Sequence, residues 1–483
     1  MRSLSVTSAL VALLLPVWVA SAQVASPTIE GPIPGVPFVQ TTSFDLASVG
    51  YTTEEYFISG TATAYTNTGD LGLDGKWTVT PASTAPYKTR IVVYRPSDAR
   101  KFNGTVVVEW LNVSGGLDAG PDWTLGHVEL IRDGFAWVGV SAQFVGVEGG
   151  PALVGVVSLP LKKVAPIRYG SLSHPGDSFS YDIYSQAGAA VRNPSGPKPL
   201  GDLVPKKVIA VGESQSAFRM VTYANAIHPL THLYDGYFIH SRGALGTDLS
   251  EPPQPVIHTP GATEIRSDLG VPVLTFETET DLTFLGYFGA RQNDSKQFRL
   301  WEVAGTAHAD AYSLTRAGSD VGTSPAINDL VVTAAPIPGI INCNTPINSG
   351  PQHFVVNAAF AALNRWVRHG KPPRSAPRLE VSAAPPVAIQ HDANGVARGG
   401  IRTPQVDAPI AAFSGEQAGT TLCRLFGTTT PFDAGKLASL YPTHRAFVAD
   451  YAKAIRKAQR KGFLLPPDAK LLRAWAAGAP YGG

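Results

Sequence analysis

Ser214 stands in the segment Val211-Gly212-Glu213-Ser214-Gln215-Ser216-Ala217, between the apolar run Lys207 to Val211 and the helix-like run Phe218 to Ala226. The pattern reads as a strand, a tight turn bearing one serine, and a helix. Such a turn holds its serine in a strained conformation above a sheet edge, with the hydroxyl clear and the next backbone N–H placed to bind an oxyanion. The chemistry this suits is acyl transfer, with Ser214 as nucleophile and the N–H of Gln215 as one oxyanion donor. Glycine usually stands at both ends of the pentapeptide, and here Ser216 takes the second place. A small residue there still lets helix and strand approach closely. Taken alone, the pentapeptide is equally well explained by a Ser- and Gly-rich helix start, so the reading depends on partners for Ser214.

A serine hydroxyl is too weakly acidic to attack an ester unaided; it needs a base in reach and a group that orients the base. His308 lies in Gly305-Thr306-Ala307-His308, just after the apolar run Phe298 to Val303, and Asp281 lies just past the run Val271 to Glu277. Both follow Ser214 in the order nucleophile, acid, histidine. All three sit at the carboxyl ends of expected strands, which in a parallel sheet form one rim. His228, His232 and His258 have no comparable position. Glu277, Glu279 and Asp281 crowd one strand end, and Glu279 is the alternative acid; Asp281 is preferred because a short turn separates it from the strand. Glu277 reads as a buried acceptor within the strand, and Asp310 as a loop cap. The second oxyanion donor is expected from Asn112-Val113-Ser114-Gly115-Gly116, as the N–H of Val113 or Asn112, although the glycines also fit an ordinary turn.

The elements that must position these residues follow from hydrophobic period. Alternation begins near Tyr56 to Tyr65. Thr89 to Tyr94, Thr105 to Leu111, Ala136 to Ser141, Lys207 to Val211, Tyr234 to His240, Val271 to Glu277 and Phe298 to Val303 read as strands. Several are apolar on both faces, as a buried parallel sheet requires. Trp123 to Asp133, Ser178 to Val191, Phe218 to Ala226 and Phe354 to His369 read as helices. Strands alternating with helices predict an α/β chain with a doubly wound, mostly parallel sheet. Residues 23–50 read as an extended Pro- and Gly-rich arm, and 51–483 as one domain. Its long non-periodic stretches at 144–176, 313–350 and 375–432 read as cap or pocket-wall insertions. The tail from Asp433 to Ala477 is helical in character.

The N-terminus carries Arg2, an apolar centre from Ala9 to Val19 and the small-residue pattern Ala20-Ser21-Ala22, which predicts a signal peptide cleaved after Ala22 and a secreted or periplasmic product. An uncleaved anchor is the other reading of that segment. No later apolar run reaches bilayer length, so no stable membrane insertion is expected after cleavage. Taking Arg2 from the 39 basic side chains leaves 38 against 37 acidic ones, which steers the chain neither to nucleic acid nor to anionic membranes. The only two cysteines, Cys343 and Cys423, are expected to pair in an oxidising compartment; two buried thiols are the alternative.

Several strings together resemble a known family: Val108-Glu109-Trp110-Leu111-Asn112-Val113-Ser114-Gly115-Gly116 with Pro121-Asp122-Trp123, Arg168-Tyr169-Gly170-Ser171-Leu172 with His174-Pro175-Gly176-Asp177 and Ser180-Tyr181-Asp182, the Ser214 segment, Thr278-Glu279-Thr280-Asp281, and Val303 to Asp310. These are similar to the large secreted alpha/beta hydrolase domain-containing proteins. The likeness runs from about Tyr51 to Tyr441 and includes Gly350-Pro351-Gln352-His353 and Cys423-Arg424-Leu425-Phe426-Gly427. The resemblance implies an α/β-hydrolase fold and a serine hydrolase site, and brings no particular substrate with it. Ser216 at the second glycine position is itself similar to that family's pattern.

The expected function is that of a secreted carboxylic ester hydrolase (EC 3.1.1 type) working on a small-molecule ester, through a Ser214-His308-Asp281 triad and an acyl-enzyme, with no metal or cofactor. Two other readings use the same chain: an acyltransferase on the same triad, and a non-catalytic binding protein on a hydrolase scaffold. A metal-dependent hydrolase has only the doublet His308 and Asp310 in its favour. Trp110, Trp123, Tyr287 and Phe288 are candidate pocket aromatics. Glu109 and Asp182, acidic among apolar neighbours, need partners, for which Arg168 and Arg219 are the candidates.

Overall fold

The computed structural model describes residues 24–154, 158–382 and 385–482; the expected signal peptide at 1–22 lies outside them. Nine strands form one sheet in the order β1-β2-β3-β5-β4-β6-β7-β8-β9. Strands β2 (Tyr51–Asn67) and β3 (Val79–Pro96) make a long antiparallel hairpin, and β1 (Thr28–Glu30), from the N-terminal arm, pairs along its outer edge. β3 joins antiparallel to β5 (Ala136–Val140). From there β4 (Thr105–Trp110), β6 (Lys207–Glu213), β7 (Gly236–His240), β8 (Val273–Glu277) and β9 (Phe298–Glu302) continue in parallel. Every residue of β4, β5, β7 and β8 is buried. Both faces of these strands are covered, which is why apolar residues occupy both alternations and the few charged or titratable ones, Glu109, His240 and Glu277, are themselves buried.

The period of two divides the core. Val106, Val108 and Trp110 of β4 pack with Tyr181 and Tyr184 of one helix and Met220 of another. Val107 of the same strand packs with Trp123 and Leu130, and with Val355 and Phe360, on the opposite face. The helices are α1 (Pro121–Arg132), α2 (Ser180–Arg192), α3 (Gln215–Thr222) and α4 (Gln352–His369), so α2 and α3 cover one face and α1 and α4 the other. The tail forms α5 (His444–Lys461) and α6 (Pro466–Gly478), whose Phe447, Tyr451, Leu472 and Trp475 close over Phe354 of α4.

The non-periodic stretches carry small structure of their own. The first contains single-turn helices at Phe144–Val147, Leu161–Val164 and Pro166–Tyr169. The last contains the strand pair β10 (Ala411–Ser414) and β11 (Thr428–Pro431), with a short helix, Thr421–Phe426, between them. Cys343 and Cys423 are bonded, with sulfurs 2.09 Å apart, and the bond ties that helix to the stretch 313–350. Closing a separation of 80 residues constrains the unfolded chain strongly. Replacing both cysteines with Ser is expected to reduce stability by up to roughly 4.5 kcal/mol in the chain-entropy limit, read as a lower denaturant midpoint. An unchanged midpoint would show that Ile341, Ile347, Leu422 and Phe426 hold the region without the bond.

Candidate active site

β6 ends at Glu213 and α3 begins at Gln215, leaving Ser214 alone in the turn with φ 56° and ψ −124°. A non-glycine residue in that region costs about 1–3 kcal/mol and persists only where its surroundings impose it. They do so here from both sides. The Ser214 N–H donates to the carbonyl of His240 at the end of β7 (2.9 Å), and the Ser214 carbonyl accepts the N–H of Ala217 (2.8 Å). Gly212 is required by the closeness of helix and strand: a Cβ there would stand 2.8 Å from the Ser216 carbonyl oxygen. Ser216 is fully buried in that contact, so its small side chain takes the place expected of glycine.

His308 Nε2 lies 2.7 Å from Ser214 Oγ, and His308 Nδ1 lies 2.7 Å from Asp281 Oδ1. Asp281 belongs to a helix of five residues, Glu279–Thr283, whose first turn is closed by a capping box with Thr278. Its second oxygen, Oδ2, accepts from the Thr278 N–H and hydroxyl, each at 2.7 Å. Burial by itself would raise the Asp281 carboxyl; the adjoining imidazole and these donors hold it below the usual carboxylate range. For His308 burial works downward, and Asp281 first, then Glu213, bring it above the ordinary histidine value. A hydroxyl, an imidazole and a carboxylate hydrogen bonded in line can pass a proton from the first to the second while the third retains the charge.

Glu279, the alternative acid, does not face the imidazole. It accepts the N–H of Gly305 (2.6 Å) and of Gly415 (2.8 Å), stapling the histidine loop to the segment after β10. Thr280 completes this clamp: its hydroxyl donates to the Gly415 carbonyl (2.6 Å) and accepts the His308 N–H (3.2 Å). The pattern Thr278-Glu279-Thr280-Asp281 is a readable capping box, and it is the signal that could have separated the two acids.

Of the expected oxyanion donors, Gln215 and Val113 have N–H groups hydrogen bonded to no acceptor among the described residues. Asn112 is corrected. Its main-chain N–H is spent on the Ala119 carbonyl (2.8 Å) in a small bridge, so it has no donor to offer an oxyanion. Its side chain instead brackets the elbow, donating to the Glu213 carbonyl (3.2 Å) and to Glu213 Oε2 (3.3 Å).

A cavity of about 520 Å³ opens over Ser214 and His308, walled by Phe218, Phe284, Leu285, Leu314, Leu422, Leu425 and Phe426. Three of these come from the disulfide-tied helix Thr421–Phe426. The aromatics expected at the rim do not line it. Trp110 and Trp123 are fully buried in the two core layers, Tyr287 lies under Arg242, and Phe288 under Arg291. The expected arginine partners of Glu109 and Asp182 also differ. Glu109 caps α1 from β4, accepting the N–H groups of Asp122 and Trp123, and Asp182 accepts from Thr63. Arg168 pairs with Glu55, and Arg219 with Asp177 and Glu251. Asp310 caps the helix Ala311–Thr315 together with Ser313.

No curated protein matches the chain. Among solved structures it is similar to the esterase Est22 (13% identity over 54% of this chain and 74% of that one, TM-score 0.28) and to a glucuronoyl esterase from Solibacter usitatus (10% identity over 59% and 83%, TM-score 0.28). The family model described as "Alpha/beta hydrolase domain" matches residues 24–474, nearly the whole chain. The chain belongs to that alpha/beta hydrolase family.

Proposed function

We propose that the protein is an exported serine esterase in which residues 51–483 form one hydrolase domain, with 144–176, 313–350 and 375–432 as insertions. The observation that carries this reading is the unbroken hydrogen-bonded line Asp281, His308, Ser214 on the floor of an apolar cavity. His308 Nε2 takes the Ser214 proton as Oγ attacks the ester carbonyl. The N–H groups of Gln215 and Val113 receive the oxyanion, and His308 returns the proton to the leaving alcohol. Water, activated by the same imidazole, then releases the acid from Ser214. The disulfide, and the fact that no helix among the described residues is long and apolar enough to cross a membrane, agree with export.

The test is fluorophosphonate labelling of the mature protein beside Ser214→Ala; a wild-type protein that is folded and unlabelled would sink the serine mechanism. The cavity also predicts selectivity. For p-nitrophenyl esters, kcat/KM is expected to rise about fourfold per added acyl methylene, at about 0.8 kcal/mol each, until the cavity is filled. Leu422→Asp, which sets a charge in the wall, is expected to flatten that gradient. A gradient equally steep in the variant would place the acyl chain elsewhere.

A further inference from the structure

The residue before the nucleophile faces the same imidazole nitrogen as the nucleophile does. Glu213 Oε1 lies 3.5 Å from His308 Nε2, while Oε2 is held by Asn112 Nδ2 at 3.3 Å. The side chain is 8% exposed and borders the cavity, where it is the only ionisable group besides His308 among the described lining residues. No lysine or arginine among the described residues pairs with it. The titratable groups that face it are His308 and His240, which favour its charge, and Asp122 and Asp281, which oppose it. His240 is already bound to Asp122 at 2.8 Å, and burial holds it neutral. The one countercharge within reach of Glu213 is therefore the charge His308 acquires when it takes the serine proton.

Resting on the serine-esterase reading, we propose that Glu213 is a positioning residue acting through His308: its carboxylate is the second anionic partner of the imidazole, stabilising the imidazolium formed when Nε2 takes the Ser214 proton. The proton balance is unchanged by it. The proton goes from Ser214 Oγ to His308 Nε2 and on to the leaving oxygen, and Glu213 neither supplies nor keeps one. Burial raises the Glu213 carboxyl to about 7, against the pull of the His308 imidazole. The carboxylate form thus appears as pH rises through about 7, and it holds His308 protonated to higher pH than Asp281 alone would.

The experiment is the pH dependence of fluorophosphonate labelling and of p-nitrophenyl acetate hydrolysis for wild type, Glu213→Gln and Glu213→Asp. In Glu213→Gln the acid limb is expected to move to lower pH by about one unit, and the plateau kcat to fall about tenfold with KM little changed. Glu213→Asp, which keeps the charge, is expected to retain the wild-type limb with a reduced plateau. A Glu213→Gln limb and plateau both matching wild type would overturn the inference, as would an Asp variant with the full wild-type plateau if the Gln variant does not fold. Failure of the underlying reading looks different: wild type itself would not label.

Discussion

Ser214→Ala is expected to lower kcat for p-nitrophenyl esters about 10⁴- to 10⁶-fold while leaving the fold intact, because members of such a unit fail together when one is removed. The hydroxyl makes one side-chain hydrogen bond, to His308 Nε2, so truncation leaves no buried donor without a partner in the core. Alanine meets the same backbone strain at φ 56° that serine does, so the melting temperature should stay within a few degrees. His308→Ala should lose nearly as much activity, and the double variant little more than either alone. The measurement is kcat with active-site titration of each variant. A Ser214→Ala protein within tenfold of wild type, after exclusion of contaminating esterase, would remove Ser214 from the chemistry.

What could be read from the sequence, and what could not, divides by the range of the interactions involved. β4, β6 and β8 were legible because a strand buried on both faces carries apolar residues at successive positions, and the turn after β6 because few residues suit it. The hairpin was legible only in part. β3 starts ten residues before the apolar run at Thr89, through Pro81 and Pro86, which argue against a strand. They are tolerated because β5 pairs only with Ile91–Tyr94, leaving one edge of that stretch without a neighbour. The role of Asn112 was illegible for a related reason. Whether a loop N–H is free depends on a partner seven residues on, Ala119, that no local pattern announces. The pocket aromatics were misplaced because the nearby tryptophans serve the core, whereas Leu422, Leu425 and Phe426 come from the stretch 375–432, which the disulfide ties to 313–350.

The two acids after β8 illustrate the same limit and lead to the second large effect. Residues two apart on a helix point about 200° apart, so Glu279 and Asp281 cannot both face His308. Asp281→Asn is expected to lower kcat about 10³- to 10⁴-fold, and the geometry gives the reason. Two donors from Thr278 converge on Oδ2, so an asparagine must turn its own oxygen toward them and its NH₂ toward His308 Nδ1. That forces the imidazole to accept at Nδ1 and carry its proton on Nε2, where it can no longer receive the proton of Ser214. Glu279→Gln acts differently. The carboxylate accepts two N–H groups, and an amide can accept one while its NH₂ meets the other donor. An unpaired buried donor costs about 1–3 kcal/mol, so this variant should melt at lower temperature yet keep turnover within about tenfold of wild type. The check is kcat and melting temperature on both variants side by side. Greater loss of kcat in Glu279→Gln than in Asp281→Asn, at temperatures where both remain folded, would exchange their roles.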